Sequence, residues 1–297
     1  MKKEQENKMK PTLPFLEIMA TQACNLSCLG CTNYSDLPLK GFLAWNDARK
    51  MIEPWVQRIE MPDFSVIGGE PLLNPTINGW VVGLRDLLPN SRLRLTTNGL
   101  LLHKHLDIVD LMHDVGNSLF KITVHQEDEK LNDVIEEIFN RFKWIEIQEF
   151  GLTRWVTSNG FKLQINRPTQ FVKTYVGEYK NMKPHNSNPV DAYKICSQPN
   201  CPLLYNGRIY KCSTSALLAD TLKHVGNPNF EMWEPYISNG IGIDSSEEEL
   251  AQFVANHGKP NKICRMCPTT NDIDSQIDHA KNVSRKKYKI NEKMVDL

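Results

Sequence analysis

Cys24, Cys28 and Cys31 stand at the spacing C-x3-C-x2-C. Thiolates this close on one loop can hold a single metal centre. No fourth ligand is near: the next cysteine is Cys196 and the next histidine is His103. A structural zinc site closes with four protein ligands. Three cysteines point instead to a four-iron cluster with one iron left open, where a small molecule can chelate. A zinc loop, or a cysteine cluster without function, is the competing reading.

The eight cysteines fall into two groups, with none in residues 32–195. The second group is Cys196, Cys201, Cys212, Cys264 and Cys267. Disulfides are not expected in a reducing cytosol, and two separated groups read as two metal sites. Cys196 is followed by ten residues, Gly207, four residues and Cys212, and Cys264-x2-Cys267 closes the set. Cys201 is the odd one out and could replace Cys196. A zinc site on the same residues is the alternative for this group.

Strands alternating with helices must position the first group. Residues 15–19 are a short apolar run that feeds the cysteine loop. A helix from Asn46 carries Ala48, Ile52, Trp55, Val56 and Ile59 at helical spacing, with Pro54 expected to kink it. Residues 64–67 read as a second strand, ending in Gly68-Gly69-Glu70-Pro71. A helix after Pro75 presents Ile77, Trp80, Val81, Leu84 and Leu88. Residues 93–96 form a third strand, which runs into Thr97-Asn98-Gly99. Ile108, Val109 and Met112 mark another helix, and residues 120–125 alternate as a fourth strand. Val134, Ile135, Ile138, Phe139 and Phe142 make a further helical face. Residues 144–148 and 161–165 both read as strands, and either can continue the sheet. This alternation predicts right-handed β-α units, a parallel sheet and a partial or full barrel. The cysteine loop, Gly68–Glu70, Asn98 and His125 then fall at the carboxyl ends of strands, where such barrels keep their sites. Further along, Asn206-Gly207 reads as a hairpin turn between 203–205 and 208–211. Residues 245–256 read as a helix, capped by Ser245 and Glu248.

The cysteine spacing followed one β-α unit later by Gly68-Gly69-Glu70-Pro71 resembles the radical S-adenosylmethionine (SAM) superfamily. The resemblance implies an α/β fold: a partial (β/α)6-type barrel with a small hairpin-plus-helix cluster-binding extension. It implies a 4Fe-4S cluster on Cys24, Cys28 and Cys31, with the amine and carboxylate of SAM on the open iron. One electron then splits SAM into methionine and a 5′-deoxyadenosyl radical. Gly68, Gly69 and Glu70 would meet the SAM amine, and Asn98 lies at the third strand end usual for the family. Thr123 and His125 sit where relatives place ribose- or substrate-facing groups, with a packed core histidine as the alternative for His125. Many relatives carry an aromatic residue just before the third cysteine. Gly30 stands there in this chain, so Tyr34 or a backbone contact would have to replace it. The second cysteine group resembles a twitch domain, a shortened SPASM domain. That implies an auxiliary 4Fe-4S cluster on Cys196, Cys212, Cys264 and Cys267. The implied layout is a flexible tail at 1–12, a barrel at 13–180, the auxiliary domain at 181–270 and a C-terminal tail at 271–297.

Lysine plus arginine equals aspartate plus glutamate, 35 each, which gives no pull toward nucleic acid or an acidic membrane. The 40% hydrophobic and 24% charged shares are those of a soluble globular protein. No apolar run reaches the roughly 18 residues of a membrane span, and residues 1–10 lack a signal core, so a cytoplasmic enzyme is expected. The resemblance implies an electron donor such as flavodoxin or ferredoxin. The leading expectation is a radical SAM oxidoreductase that oxidises a small polar or sugar-like molecule, with the auxiliary cluster as electron acceptor. Only 23 residues precede Cys24, which weighs against a built-in peptide-recognition domain. A peptide-modifying enzyme working with a partner is the second reading. A non-catalytic zinc or iron–sulfur protein is the third. A zinc deaminase would use His125-Gln126-Glu127 and Cys264-x2-Cys267, but Ile263 stands where that family needs proline.

Overall fold

The structure, a computed structural model, describes residues 10–272 and 276–286. In chain order the first half comprises β1 (Phe15–Met19), β2 (Leu26–Cys28), α1 (Trp45–Val56), β3 (Asp63–Ile67), α2 (Ile77–Leu87), β4 (Arg92–Thr97), α3 (Leu106–Asp114), β5 (Ser118–Thr123) and α4 (Glu129–Arg141). Then follow β6 (Ile145–Glu149), β7 (Leu152–Val156), β8 (Phe161–Asn166), β9 (Gln170–Val172), α5 (Pro189–Lys194), β10 (Leu203–Tyr205), β11 (Arg208–Tyr210), α6 (Ser213–Val225), α7 (Phe230–Trp233), α8 (Glu247–Ala255), β12 (Gln276–Asp278) and β13 (Val283–Arg285). Among the described residues no helix is long and apolar enough to cross a membrane.

Nine strands form one sheet in the order β11-β10-β1-β3-β4-β5-β8-β7-β6. The run from β10 to β8 is parallel, and the antiparallel strands lie at the two ends. This is the expected mixed α/β architecture with a largely parallel sheet. Period-two alternation sorts its two faces. Leu16, Ile18, Phe64, Val66, Leu93, Leu95, Phe120 and Ile122 pack into one core with Ile52, Trp55, Trp80, Val109 and Ile138 of the helices. The opposite face is polar, with Glu17, Arg94 and Lys121 in register-related positions. Glu17 and Lys121 act on each other although β3 and β4 separate their strands. The sheet therefore curls, and these charges share its concave side.

One open choice is settled and three expectations change. Of the two strands that could continue the sheet, β8 pairs with β5, register Phe120↔Leu163, while β6 lies at the antiparallel edge. Phe161 and Leu163 bury completely, whereas Ile145 is exposed, so burial decides the partner. The hairpin of β10 and β11 does not stand apart from the barrel. Leu203 and Leu204 pair with Glu17 and Ile18 of β1, so residues assigned to a separate extension complete the main sheet. The segment assigned as a tail from residue 271 carries two paired strands: β12 on β9 and β13 on β2. Residues 287–297, and 1–9 of the expected N-terminal tail, lie outside the described residues. The cap of α8 is Ser246 with Glu249, one residue beyond the expected pair.

Helix α1 runs on through Pro54, which lies in its last turn. Helix α6 escaped the sequence reading because its first turn, Ser213-Thr214-Ser215, reads as loop. These hydroxyls are buried and bonded: Thr214 Oγ1 donates to Thr32 O at 3.2 Å and Ser213 Oγ to Gln198 Oε1 at 2.9 Å.

Candidate active site

The chain leaves β1 at Met19 and enters the cysteine loop along the end of β3. Ala20 N donates to Ile67 O, Gly69 N to Thr21 O and Glu70 N to Ala23 O, each at 2.8 Å. Asn74, fully buried, ties the same corner: its Nδ2 donates to Ala20 O and Leu43 O. The glycines of Gly68-Gly69 are explained by this packing. A Cβ on Gly69 would lie 2.2 Å from Ala23 O, and one on Gly68 would lie 2.7 Å from Thr21 O. They admit the backbone of the cysteine loop.

Cys24 and Cys28 are buried and Cys31 is half-buried. Burial pushes the Cys24 thiol up to about 12 and the Cys31 thiol up to about 11, and it raises Cys28 as well. Such thiols become ligands only where a cation replaces their protons. A tetrahedral zinc with sulfur at about 2.3 Å would draw its thiolates to roughly 3.8 Å from one another. Among the described residues, the group of three or more His, Cys, Asp or Glu whose ligand atoms all fall within 4.8 Å is Cys28, His125 and His279.

Glu70 is fully buried. Its Oε1 accepts from Leu72 N at 3.0 Å and from Thr97 Oγ1 at 2.7 Å, and its Oε2 accepts from Asn98 N at 2.7 Å. Burial raises the carboxyl to about 7 in spite of these bonds. The side chain thus fastens the end of β3 to the end of β4. Asn98 in turn donates from Nδ2 to Asn25 Oδ1 at 2.6 Å and lies 3.9 Å from Cys24 Sγ. Glu70 therefore acts on the cysteine loop through Asn98. Asn25 was not singled out in the sequence, where it is an ordinary polar loop residue.

Thr123 ends β5, opposite Asn166 of β8. His125 follows, and its Nδ1 lies 2.7 Å from Nε2 of His279. His279 is fully buried and its ring stacks on Phe171 at 3.8 Å between centroids. Nothing local in the sequence marks His279, which reaches the site only because β12 and β13 fold back. Ile277 explains Gly30 in the same way. Gly30 has φ +81°, and a Cβ there would meet Ile277 Cδ1 at 3.1 Å, so the returning chain fills the space an aromatic neighbour of Cys31 would need. Tyr34 does not replace that aromatic. It is buried in a different core with Tyr175, Met182 and Trp233, edge-on to Tyr179, and it faces Cys212 and Cys267. Its φ of +52° turns the chain away after the cysteine loop.

Cys196, Cys212, Cys264 and Cys267 line one cavity, together with Thr32, Thr214, Lys211 and Met266. Cys212 is the N-cap of α6, where the helix dipole favours a thiolate. Cys264 and Cys267 bracket a single turn closed by Cys267 N donating to Cys264 O at 3.1 Å. Cys201 is not among the lining residues; it faces Glu17 and Lys121. The two cysteine sets are neighbours. Thr32, next to Cys31, accepts at its carbonyl from Ser213 and Thr214, next to Cys212.

Residues 18–155 match the sequence model of the radical SAM superfamily. The GTP 3',8-cyclase of Staphylococcus epidermidis is 24% identical over 176 residues, covering 56% of this chain and 48% of that protein. That of Rhodopirellula baltica is 31% identical over 93 residues, covering 30% of this chain and 26% of that protein. The chain spans about half the length of the curated relatives it matches first. Among solved structures, BtrN in complex with AdoMet and 2-DOIA is 14% identical with a TM-score of 0.49, covering 88% of this chain and 95% of that one. Streptococcus suis SuiB is 20% identical with a TM-score of 0.33, covering 41% and 26%.

Proposed function

We propose that the chain, whose residues 18–155 match the radical SAM superfamily model, binds SAM at a 4Fe-4S cluster on Cys24, Cys28 and Cys31 and oxidises a small polar substrate. The chemistry such a cluster supplies is one-electron reductive cleavage of SAM to methionine and a 5′-deoxyadenosyl radical. Asn98, held by Glu70, orients the loop around Cys24. Gly68, Gly69, Thr123 and His125 lie at the adjoining strand ends, toward SAM or substrate. The 5′-deoxyadenosyl radical would take a C–H hydrogen atom from the substrate, and loss of the hydroxyl proton to a base and of one further electron would leave a carbonyl.

Cys196, Cys212, Cys264 and Cys267 would hold an auxiliary 4Fe-4S cluster, the acceptor for that further electron. The observation that carries this reading is the contact of the two cysteine sets through Thr32, which puts the second set within reach of the first. Four thiols around one cavity support it. A reduced flavodoxin or ferredoxin is the proposed electron donor. A second reading, a nucleotide substrate, is favoured by the similarity to GTP 3',8-cyclases over 176 residues.

Anaerobic reconstitution tests the proposal. About eight irons per chain are expected, with release of 5′-deoxyadenosine from SAM under dithionite. Replacing Cys24, Cys28 and Cys31 by alanine should abolish the release and leave about four irons. Stoichiometric zinc without iron overturns the reading. Consumption of GTP in place of small polyols would favour the nucleotide.

A further inference from the structure

The returning segment 276–286 lies along the first cysteine loop. Val283 pairs with Cys28 and Arg285 with Leu26. Leu29 N donates to Asn282 O at 3.1 Å, and Lys286 N donates to Asn25 O at 2.8 Å. Two contacts anchor the segment to the loop after β5: Gln126 Nε2 donates to Val283 O at 2.8 Å, and Arg285 pairs with Asp128. Beyond Arg285 the Lys286 side chain turns inward beneath the loop. Its Nζ donates to Ser35 O at 2.5 Å and to Leu37 O at 2.8 Å. Burial lowers the pKa of this amino group, while the charges of Cys24, Asp36, Cys31 and Cys28 favour its ammonium form.

The charge of Lys286 acts on Cys24, Cys28 and Cys31 alike, against the burial that raises their thiols. The acidic groups that oppose it are Asp36, which accepts from Tyr179 Oη and acts on Cys28 and Cys31, and Glu70, which acts on Cys24. Reduction adds negative charge to a cluster, and a fixed cation beside its ligands favours the reduced form.

We propose that Lys286 is a positioning residue of the first cysteine site, a fixed positive charge carried in by the folded-back C-terminal segment that raises the reduction potential of the cluster there. The proposal rests on the reading that Cys24, Cys28 and Cys31 hold a four-iron cluster. It gives the segment a part in the redox chemistry of a site more than 250 positions earlier in the chain.

The test is an anaerobic redox titration of the reconstituted full chain, followed by electron paramagnetic resonance. The signal that changes on adding SAM reports the first cluster. Wild type, Lys286→Met and Lys286→Arg are compared, each with its iron content measured. Lys286→Met should lower the ratio of reduced to oxidised cluster at the wild-type midpoint about tenfold, about 59 mV for one electron. Lys286→Arg should keep the wild-type value. A fully loaded Lys286→Met with an unchanged midpoint overturns the proposal. Failure of Lys286→Met to load while Lys286→Arg loads supports a requirement for the charge. Failure of both overturns it, because the shape of lysine would then be what matters. A wild-type chain whose first site takes up no iron refutes the cluster reading itself, whatever Lys286 does.

Discussion

Glu17 offers a quantitative check on the polar concave face. It sits in the middle of β1, paired on both sides, and its Oε2 is buried with no hydrogen-bond partner. Burial raises its carboxyl from 4.5 to about 7, against the pull of Lys121 and Arg94. Between these two values the folded chain binds more protons than the unfolded one. Stability therefore falls as pH rises through that window. Ionising the carboxyl in the fold costs about 3 kcal/mol at pH 8 and under about 1 kcal/mol at pH 5. Glu17→Gln removes this dependence. The pull of Lys121 on the carboxylate is already contained in the shifted value. The assay is urea denaturation of the metal-free protein and the variant at pH 5 and pH 8. The difference in unfolding free energy between the two proteins should shift by about 2–3 kcal/mol in favour of the variant at the higher pH. Glu70 contributes a similar slope to both proteins and cancels. An equal difference at the two pH values would refute the placement of a buried, poorly solvated carboxylate on this face.

Two further outcomes follow from the cysteine sites. Gly69→Ala drives a Cβ into Ala23 O and parts two backbone hydrogen bonds; a loss of about 2–4 kcal/mol is expected, together with loss of iron from the first site but not the second. Unchanged stability and iron content would show that the corner yields. Cys196→Ala should lose about half of the iron, while Cys201→Ala should keep it, because Cys201 is not among the residues that line the cavity. The reverse pattern would put Cys201 on the metal.

Features encoded over a few adjacent residues were legible in the sequence. A C-x3-C-x2-C spacing confines three thiols to one loop whatever surrounds it. Alternating strand and helix patterns bury one face of each element, which is enough to imply a parallel sheet. The Asn206-Gly207 turn was legible too, because both residues take the positive φ a tight hairpin needs. Other features depend on which distant segments meet, and these only the tertiary structure decided. The choice of β8 over β6 as the neighbour of β5 rests on the burial of Phe161 and Leu163. Tyr34 left the first site because its positive φ turns the chain toward the second core. Gly68 and Gly69 face backbone from across the corner, a contact no spacing reveals. His279, Ile277 and Lys286 lie in the stretch expected as a C-terminal tail. They reach the cysteine loop because the unpaired edge of β2 accepts β13 as its partner. A short strand carries little pattern of its own, and its place is set by the hydrogen bonds another strand leaves open.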